Sequence, residues 1–296
     1  MTTHRQILRV RNLRRHFGKA VAVDGLDLTA WEGEIYGFLG VNGAGKTTTI
    51  HAIMGIIAAQ SGTITLMDET TQRTSVKQRQ QIGYVSQDQH FYPWMTCRGI
   101  GKFVGSFYPT WDAPEYARLL DMFEIPPDRR TSELSGGMRA KLALALALAP
   151  RPALLILDEP TASLDPVTRH EFMRIIVAEA REHRRSVFFS SHLIDEVEAC
   201  ADRIGIIHQG RMRFEGQLDE LRARVRRLVL PANVDYQVPK GFKIWRDEEA
   251  STGRTLTMDG PADAWELLAG SGLALPQSLS LEEIFLACVG SRHVRL

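Results

Sequence analysis

Leucine and alanine alternate from residue 142 to residue 149 (LALALALA), which is the period of a β-strand. Alternation does not settle the structure here, because a helix buried on all sides is apolar all round and shows no polar face. Composition favours a helix, since Leu and Ala are strong helix formers and the run holds no β-branched residue. Pro150 and Pro152 follow where a helix has to stop. The pattern therefore predicts a buried helix that begins after Ser135 as N-cap, with Gly136 and Gly137 in its first turn.

Strand patterns fill the N-terminal part of the chain, which is rich in β-branched and aromatic residues separated by glycine. The strand EIYGFL leads into a loop and a helix, GVNGAGKTTTIHAIMGII. The segment GTITLMD predicts a strand pair, and IGYVSQ predicts a strand that ends at Gln87. From about Phe91 to Ala149 the pattern is helical, with breaks at FYPTWD and LDMFEIPPDRR.

Two short buried-type strands, ALLIL and SVFFS, flank the helix PVTRHEFMRIIVAEAREH, for which Asp165 is the expected N-cap and Pro166 the first residue. Strands that alternate with helices predict a parallel sheet, and hence an α/β fold. From Gly216 the pattern changes to short strands (RLVL, GFKIWRD, RTLTM) and short helices (LDELRARVRR, PADAWELLAG, SLEEIFLACV). We therefore expect a larger domain over 1–216 and a small α+β domain over 217–296.

Composition argues against several classes of protein. The net charge of the 296 residues is +1, which argues against nucleic-acid binding through a basic excess. The three cysteines, Cys97, Cys200 and Cys288, have no metal-site spacing and are expected to be reduced thiols of a cytosolic protein. The N-terminal MTTHRQILRV has no apolar leader segment, and no run reaches the roughly 18 to 20 apolar residues of a membrane span. A role at a membrane would therefore depend on a partner.

The segment GVNGAGKT, residues 40–47, fits the phosphate-loop pattern G-x-x-x-x-G-K-[ST] and lies between a strand and a helix, as that pattern requires. Its glycines let successive backbone N–H groups face phosphate oxygens. Lys46 is expected to reach the β- and γ-phosphates, and the Thr47 hydroxyl to bind Mg²⁺. A glycine-rich turn that holds a lysine by chance is the alternative, and the strand-helix context argues against it.

Two acids follow another strand in LLILDEP. Asp158 is placed to hold Mg²⁺ or its water, and Glu159 is placed to act as a general base on the attacking water. Acids at strand ends are common, so this pair points to catalysis only because the chain also has a phosphate loop.

The order of the segments is more specific than any one of them. A phosphate loop is followed by Gln87, SELSGGM, LILDEP, SLD and a strand that runs into SSH. In this order and spacing, residues 6 to 216 resemble the ATP-binding subunit of an ATP-binding-cassette (ABC) transporter. The resemblance implies a P-loop NTPase fold: a parallel core sheet, an antiparallel β subdomain and a helical subdomain at about 88–150, with the small α+β domain following. It also implies an ATPase whose cofactors are ATP and Mg²⁺.

The resemblance assigns roles to individual residues. Phe17 would stack on adenine, Gln87 would approach Mg²⁺ and the reacting water, and His192 would contact the γ-phosphate. Asp158 and Glu159 match the Walker B aspartate and the catalytic glutamate. The Walker A residues, which would hold the nucleotide, are Gly40, Asn42, Gly43, Gly45, Lys46, Thr47 and Thr48, and the D-loop residues are Ser163, Leu164 and Asp165.

SELSGGM corresponds to the family's LSGGQ signature, which binds the γ-phosphate of ATP held by the opposite subunit. Ser135, Gly136 and Gly137 would therefore cap the nucleotide of a second ATPase subunit in a head-to-tail dimer. Met138 stands where the family usually has Gln, and a thioether cannot make the polar contacts of an amide. The resemblance leaves open whether the second subunit is a copy of this chain or a different ATPase.

FYPTWD, FFSSH and LALALALAPRP also resemble a bacterial subgroup, the Ytr-like ABC ATPases associated with export or with resistance to antibiotics and peptides. SLEEIFLACVG resembles the end of exporter ATPases that pair with ABC-2-type membrane proteins. The implied function is a motor subunit that drives a separate membrane permease in the export direction, from the cytoplasmic face of a bacterial plasma membrane. FYPTWD can equally be a helix-breaking turn.

Two other functions stay open at this stage: an ABC ATPase without a permease, in DNA maintenance or translation, and a module that binds ATP without hydrolysing it. The absence of a coiled-coil insertion, zinc-binding cysteines and a second cassette argues against the first. Glu159 and His192 argue against the second.

In the motor hypothesis the segment from Gln87 to about Asp112 would contact the permease. The basic residues Arg222, Arg224, Arg226 and Arg227 could touch anionic lipid, but a solvated helix end is the simpler interpretation.

Overall fold

A parallel β-sheet organises the larger part of the structure, a computed structural model that describes residues 5–71, 74–231, 236–250, 253–270 and 275–290. Residues 1–4, at the start of the segment expected to lack a leader, lie outside the described residues. The chain forms two compact units, Met1–Glu215 and Gly216–Leu296. Among the described residues, no helix is long and apolar enough to span a membrane.

The first unit contains ten strands and seven helices within its described residues. The strands are β1 (Gln6–Phe17), β2 (Ala20–Trp31), β3 (Ile35–Leu39), β4 (Ser61–Leu66), β5 (Glu69–Thr71), β6 (Ile82–Val85), β7 (Leu154–Asp158), β8 (Ser186–Ser191), β9 (Arg203–His208) and β10 (Arg211–Gln217), the last crossing into the second unit. The helices are α1 (Lys46–Ile53), α2 (Val76–Arg79), α3 (Cys97–Gly105), α4 (Ala113–Met122), α5 (Gly136–Leu148), α6 (Pro166–Glu182) and α7 (Ile194–Cys200).

The central six-stranded sheet has the order β10-β9-β3-β8-β7-β6. Strands β6, β7, β8, β3 and β9 are parallel neighbours in that order. Their carboxyl ends therefore meet at one edge, where ligands bind in sheets of this kind. β3 and β7 are buried along their whole length, as the apolar runs IYGFL and LLILD require.

An antiparallel sheet of four strands, β2-β1-β4-β5, accompanies the central sheet. Its apolar residues share one core with α1 and the central sheet, and this core includes Leu8, Leu26, Phe38, Ile50 and Phe188. Helices α3, α4 and α5 contact one another and form the helical part of the unit. The Tyr116 hydroxyl of α4 donates to the Cys97 carbonyl of α3 at 2.6 Å, which joins two of these helices. The predicted α/β cassette with an antiparallel and a helical part is confirmed.

The LALALALA segment is helical, as predicted. Helix α5 begins after Ser135, whose side chain accepts the Met138 N–H at 3.2 Å as an N-cap. From Leu142 onward its residues are buried with one exception, so the helix has no polar face to show in its sequence. The helix ends at Leu148, just ahead of Pro150. Asp165 likewise caps α6, and Pro166 is its first residue.

The described residues of the second unit form an antiparallel sheet, β12-β13-β11-β14, and three helices. Its strands are β11 (Val225–Pro231), β12 (Lys243–Ala250), β13 (Gly253–Asp259) and β14 (Gln277–Ser278), and its helices are α8 (Leu218–Arg224), α9 (Ala262–Gly270) and α10 (Leu281–Val289). Trp265 is buried against the ring of Phe242 and donates its indole N–H to the Arg224 carbonyl at 2.7 Å. The α+β character predicted for this part is present.

Three boundaries differ from the sequence prediction. Strand β6 ends at Val85, not Gln87, because its pairing with β7 stops at the Val85–Leu157 pair. Leu120, Asp121 and Met122 extend α4 rather than a loop. The basic run is a helix end only in part: Arg222 and Arg224 lie in the last turn of α8, whereas Arg226 and Arg227 belong to β11 and pair with β13 and β14.

Leu144 tests the buried-helix assignment. Its side chain is fully buried, so Leu144→Ala should lower the free energy of unfolding by about 2–5 kcal/mol through lost contacts and a cavity. Val167, 79% exposed on α6, is the control, and Val167→Ala should change stability by less than about 0.5 kcal/mol. Urea unfolding of both variants measures the difference, and equal losses would contradict burial of this face.

Candidate functional site

The phosphate loop lies between β3 and α1. Gly45 precedes α1 with φ of 110°, a left-handed conformation that favours glycine, and a Cβ there would collide with the Ala22 carbonyl oxygen. A Cβ on Gly40 would lie 2.7 Å from the Ile207 carbonyl oxygen. These glycines therefore allow a backbone path that other residues cannot follow. The first N–H groups of a helix have no acceptor within the helix, so the start of α1 is a place where an anion could bind.

Lys46 is buried at the start of α1, with only 4% of its surface exposed. Its Nζ donates to the Gly40 carbonyl at 2.7 Å and to the Val41 carbonyl at 3.1 Å. It also lies 2.9 Å from Glu159 Oε1. An ammonium has three N–H donors, so these three acceptors use all of them.

Glu159 follows the last residue of β7 and is also buried. One carboxylate oxygen pairs with Lys46, and the other, Oε2, lies 2.9 Å from His192 Nδ1. Burial of the carboxyl raises its pKa, but Lys46 and His192 outweigh this effect, and the net pKa of Glu159 lies below its ordinary value. The carboxylate is therefore held ionised between two nitrogen groups from separate segments.

The backbone of Glu159 has φ of 42°, in the left-handed region that a residue with a Cβ enters at a cost of about 1–2 kcal/mol. Its N–H donates to Ser190 Oγ at 2.9 Å, and Ser190 Oγ donates to Asp158 Oδ1 at 2.8 Å. One serine hydroxyl thus links the two acids. Sequence analysis did not single out Ser190, because its role depends on the register that places Asp158 beside Ser190 in neighbouring strands.

Asp158 has the environment of a cation ligand. Oδ1 accepts hydrogen bonds from Ser190 and from Thr47 Oγ1, the latter at 3.2 Å. Oδ2 is buried and has no hydrogen-bond partner among the described residues. Burial raises the pKa of Asp158, an effect that the hydrogen bonds from Ser190 and Thr47 partly offset. A carboxylate oxygen beside a threonine hydroxyl is a donor set that suits Mg²⁺.

Lys46, Thr47 and Glu159 border one cavity of about 540 Å³. Gln87 enters its wall from the bend after β6, and His192 from the turn after β8. The cavity joins the ends of β3, β6, β7 and β8, which the parallel sheet brings to one edge. Its lining comprises Ala22, Asn42, Gly43, Gly45, Lys46, Thr47, Thr48, Gln87, Glu159, Ala162 and His192.

Six of the predicted nucleotide- and metal-binding residues are not part of that lining: Phe17, Gly40, Ser135, Gly136, Gly137 and Asp158. Ser135 is exposed at the start of α5, and Gly136 borders a different cavity, of about 430 Å³, together with Gln87 and Ser163. Gly137 packs close to Thr168 instead. Phe17, at the end of β1, is 49% exposed, and the Arg15 guanidinium lies 4.6 Å from its ring centroid. Within one chain, the phosphate loop and the N-terminus of α5 do not share a cavity.

Of the D-loop residues, Ser163 and Asp165 are exposed and Leu164 is buried. The Asp165 carboxylate accepts the N–H groups of Val167 and Thr168, which is its N-cap role.

Comparison with known proteins agrees with this geometry. The family described as ABC transporter matches residues 23–162. The chain is 34% identical over 229 residues to the ABC transporter ATP-binding protein YtrB of Bacillus subtilis (strain 168), covering 77% of this chain and 78% of YtrB. It is 34% identical over 223 residues to the bacitracin transport ATP-binding protein BcrA of Bacillus licheniformis, covering 75% of this chain and 73% of BcrA.

A solved structure described as the ATP-binding subunit of an ABC transporter is similar to the fold. It has a TM-score of 0.65 and 26% sequence identity, and the match covers 73% of this chain and 92% of that one. The chain therefore belongs to the ABC transporter ATP-binding proteins, a family of ATPases.

Proposed function

We propose that this chain hydrolyses ATP in the cavity at the sheet edge and that hydrolysis drives a separate membrane permease. The observation that carries the proposal is the convergence of Lys46, Glu159 and His192 at hydrogen-bonding distance beside the phosphate loop. Lys46 would bind the β- and γ-phosphates, and Glu159 would take a proton from the attacking water. His192 would orient Glu159 and contact the γ-phosphate, and Gln87, which lines the same cavity, would approach the water.

We assign Mg²⁺ to Thr47, Asp158 and Gln87. The buried Asp158 oxygen that lacks a hydrogen-bond partner among the described residues supports this assignment. When bound, the ion would neutralise charge on the phosphates. Ser190 would fix the orientation of Asp158 through the hydrogen bond to its other oxygen.

We assign Ser135, Gly136 and Gly137 to the nucleotide of a second subunit in a head-to-tail dimer. In one chain the N-terminus of α5 lies outside the cavity of the phosphate loop, which supports a role toward another molecule. The first turn of α5 offers free N–H groups and a partial positive charge, which suit a γ-phosphate. Gly136 has open space around its Cβ position, so a phosphate could approach its backbone closely.

A chain of exposed aromatic side chains supports a permease contact in the predicted segment. Ring centroids are 5.2 Å apart for Tyr92 and Trp94, 5.7 Å for Tyr92 and Phe103, and 5.3 Å for Phe103 and Phe107. Trp94 is 65% exposed. Contiguous apolar surface of this kind usually contacts another protein, and aromatic residues often dominate such contacts.

Export is the direction we propose, with a substrate of antibiotic, peptide or lipid-like character. The Nod factor export ATP-binding protein I of Burkholderia lata, 36% identical over 214 residues, supports the direction, and BcrA, named for bacitracin transport, supports the substrate class. The subunit would work at the cytoplasmic face of a bacterial plasma membrane, held there by its permease. In this proposal residues 1–216 form the ATP-binding cassette and residues 217–296 an accessory domain.

Gly45 tests the nucleotide site. Gly45→Ala should weaken binding of a fluorescent ATP analogue by at least about tenfold, because the added Cβ displaces the loop from the Ala22 carbonyl. Gly18→Ala is the control: Gly18 also has a positive φ, but its Cβ position is open, so only stability should change. Unchanged affinity in Gly45→Ala would contradict the assignment of the loop.

Glu159 tests hydrolysis and the dimer together. Glu159→Gln should lower kcat by about 10²- to 10⁴-fold, because an amide cannot accept the proton. Glu182→Gln, on an exposed position of α6, should leave the rate unchanged.

With Mg-ATP, light scattering should show the Glu159→Gln protein as a dimer and a Glu159→Gln, Ser135→Glu protein as a monomer that still binds ATP. A Glu159→Gln protein that binds ATP and stays monomeric would contradict the homodimer.

Trp94 tests the permease contact. Wild-type protein should sediment with membrane vesicles from its source cells, and Trp94→Glu should stay in the supernatant, because a buried carboxylate is costly at an apolar contact. ATP hydrolysis by the isolated subunit should be the same in both. Ile56→Glu, another exposed apolar position outside the aromatic chain, should still sediment. Equal sedimentation of Trp94→Glu and wild type would place the contact elsewhere.

A further inference from the structure

A buried carboxylate lies just behind the proposed catalytic groups. Glu196, in the first turn of α7, is 7% exposed and accepts two side-chain hydrogen bonds from different segments. Ser191 Oγ donates to Oε2 at 2.6 Å, and Thr161 Oγ1 donates to Oε1 at 2.5 Å. Both donors are themselves buried. One carboxylate therefore joins the end of β8 to the segment after β7.

The Ser191 arm fixes the turn that carries His192. Besides donating to Glu196, Ser191 Oγ accepts the Leu193 N–H at 2.9 Å. These two hydrogen bonds involve Ser191 and Leu193, the residues on either side of His192, and they hold the serine hydroxyl in one orientation. The position of the imidazole beside Glu159 depends on this turn.

The Thr161 arm fixes the turn that carries Glu159. Thr161 is two residues beyond Glu159, and the next residue, Ala162, donates its N–H to the Glu159 carbonyl at 3.2 Å. The Leu164 N–H donates to the Thr161 carbonyl at 3.0 Å. This segment is thus a folded turn whose one buried hydroxyl points to Glu196.

Arg169 of α6 completes the group. Its guanidinium donates to the Leu164 carbonyl at 3.2 Å, and its Nε lies 3.7 Å from Glu196 Oε1. A buried carboxylate near a guanidinium and two hydroxyls is well compensated, whereas loss of the carboxylate leaves the two hydroxyls without this acceptor and removes the negative charge beside Arg169.

We propose that Glu196 is a positioning residue for ATP hydrolysis, which holds the Glu159 turn and the His192 turn at hydrogen-bonding distance from each other. The inference rests on the proposed roles of Glu159 and His192. Glu196 does not line the cavity of the phosphate loop, so it acts through its two hydrogen-bonded segments and not on the nucleotide. A displacement of about 1 Å at a catalytic group can cost about 10²-fold in rate.

Glu196→Ala should lower kcat for ATP by about 10- to 100-fold, with KM changed by less than about threefold, because the phosphate loop keeps its own contacts. Glu196→Gln retains one acceptor oxygen and should fall between wild type and Glu196→Ala. Glu179→Ala is the matched control. Glu179 is also a buried carboxylate near arginines, on α6, but has no contact with the site, so its loss should lower stability and leave kcat of the folded protein unchanged.

A double-mutant cycle with His192→Ala separates positioning from general stability. If Glu196 acts through His192, Glu196→Ala should cost less in the His192→Ala background than in wild type, by at least about fivefold in kcat. Additive losses, or a wild-type kcat in Glu196→Ala, would overturn the proposal. If Glu196→Ala does not fold, Thr161→Val, which removes one arm at similar volume, carries the same cycle with the same expected outcomes.

Kinetics of the variants distinguish an error in the catalytic roles from an error in the positioning role. If Glu159→Gln or His192→Ala hydrolyses ATP like wild type, the proposed catalytic roles are wrong and the positioning role falls with them. If both variants are impaired and Glu196→Ala is not, only the positioning role is wrong.

Discussion

The Glu159 carboxylate, held between the Lys46 ammonium and the His192 imidazole, is the interaction on which the site depends. These three residues come from the ends of three different strands, and only a parallel sheet brings such ends to one edge. Because the groups are buried, each charge has to be paired, since an unpaired charge in this place would cost several kcal/mol. The register of β3, β7 and β8 therefore determines both the packing of the core sheet and the positions of the three groups of the site.

Much of this was predictable because the signals are local. The phosphate loop needs glycines at fixed spacing. A helix such as α5 is predicted by its leucines and alanines and by the prolines that follow it. The caps Ser135 and Asp165 were predictable for the same reason, since a cap and its partner are two or three residues apart. The family resemblance gave the cassette fold, which the comparisons confirm.

What the sequence did not reveal depends on contacts between distant segments. The end of β6 is set by where its pairing with β7 stops, and the arginines after Arg224 are in a strand because a neighbouring strand pairs with them. Ser190 lies beside Asp158 only through strand register. Glu196 looks like an ordinary acid of a helical turn until folding brings two hydroxyls to it from other segments.

Full occupancy of the Lys46 ammonium has a consequence for the order of events. All three of its N–H donors already have acceptors within the protein, and one of these acceptors is the Glu159 carboxylate. An arriving phosphate oxygen must therefore compete for a donor, and Glu159 is the acceptor that can yield, since the other two belong to the loop backbone. Such an exchange keeps the buried lysine paired throughout. In the proposed mechanism, the binding of the phosphate would therefore also release Glu159 as the base, and the carboxylate would be restrained while there is nothing to hydrolyse.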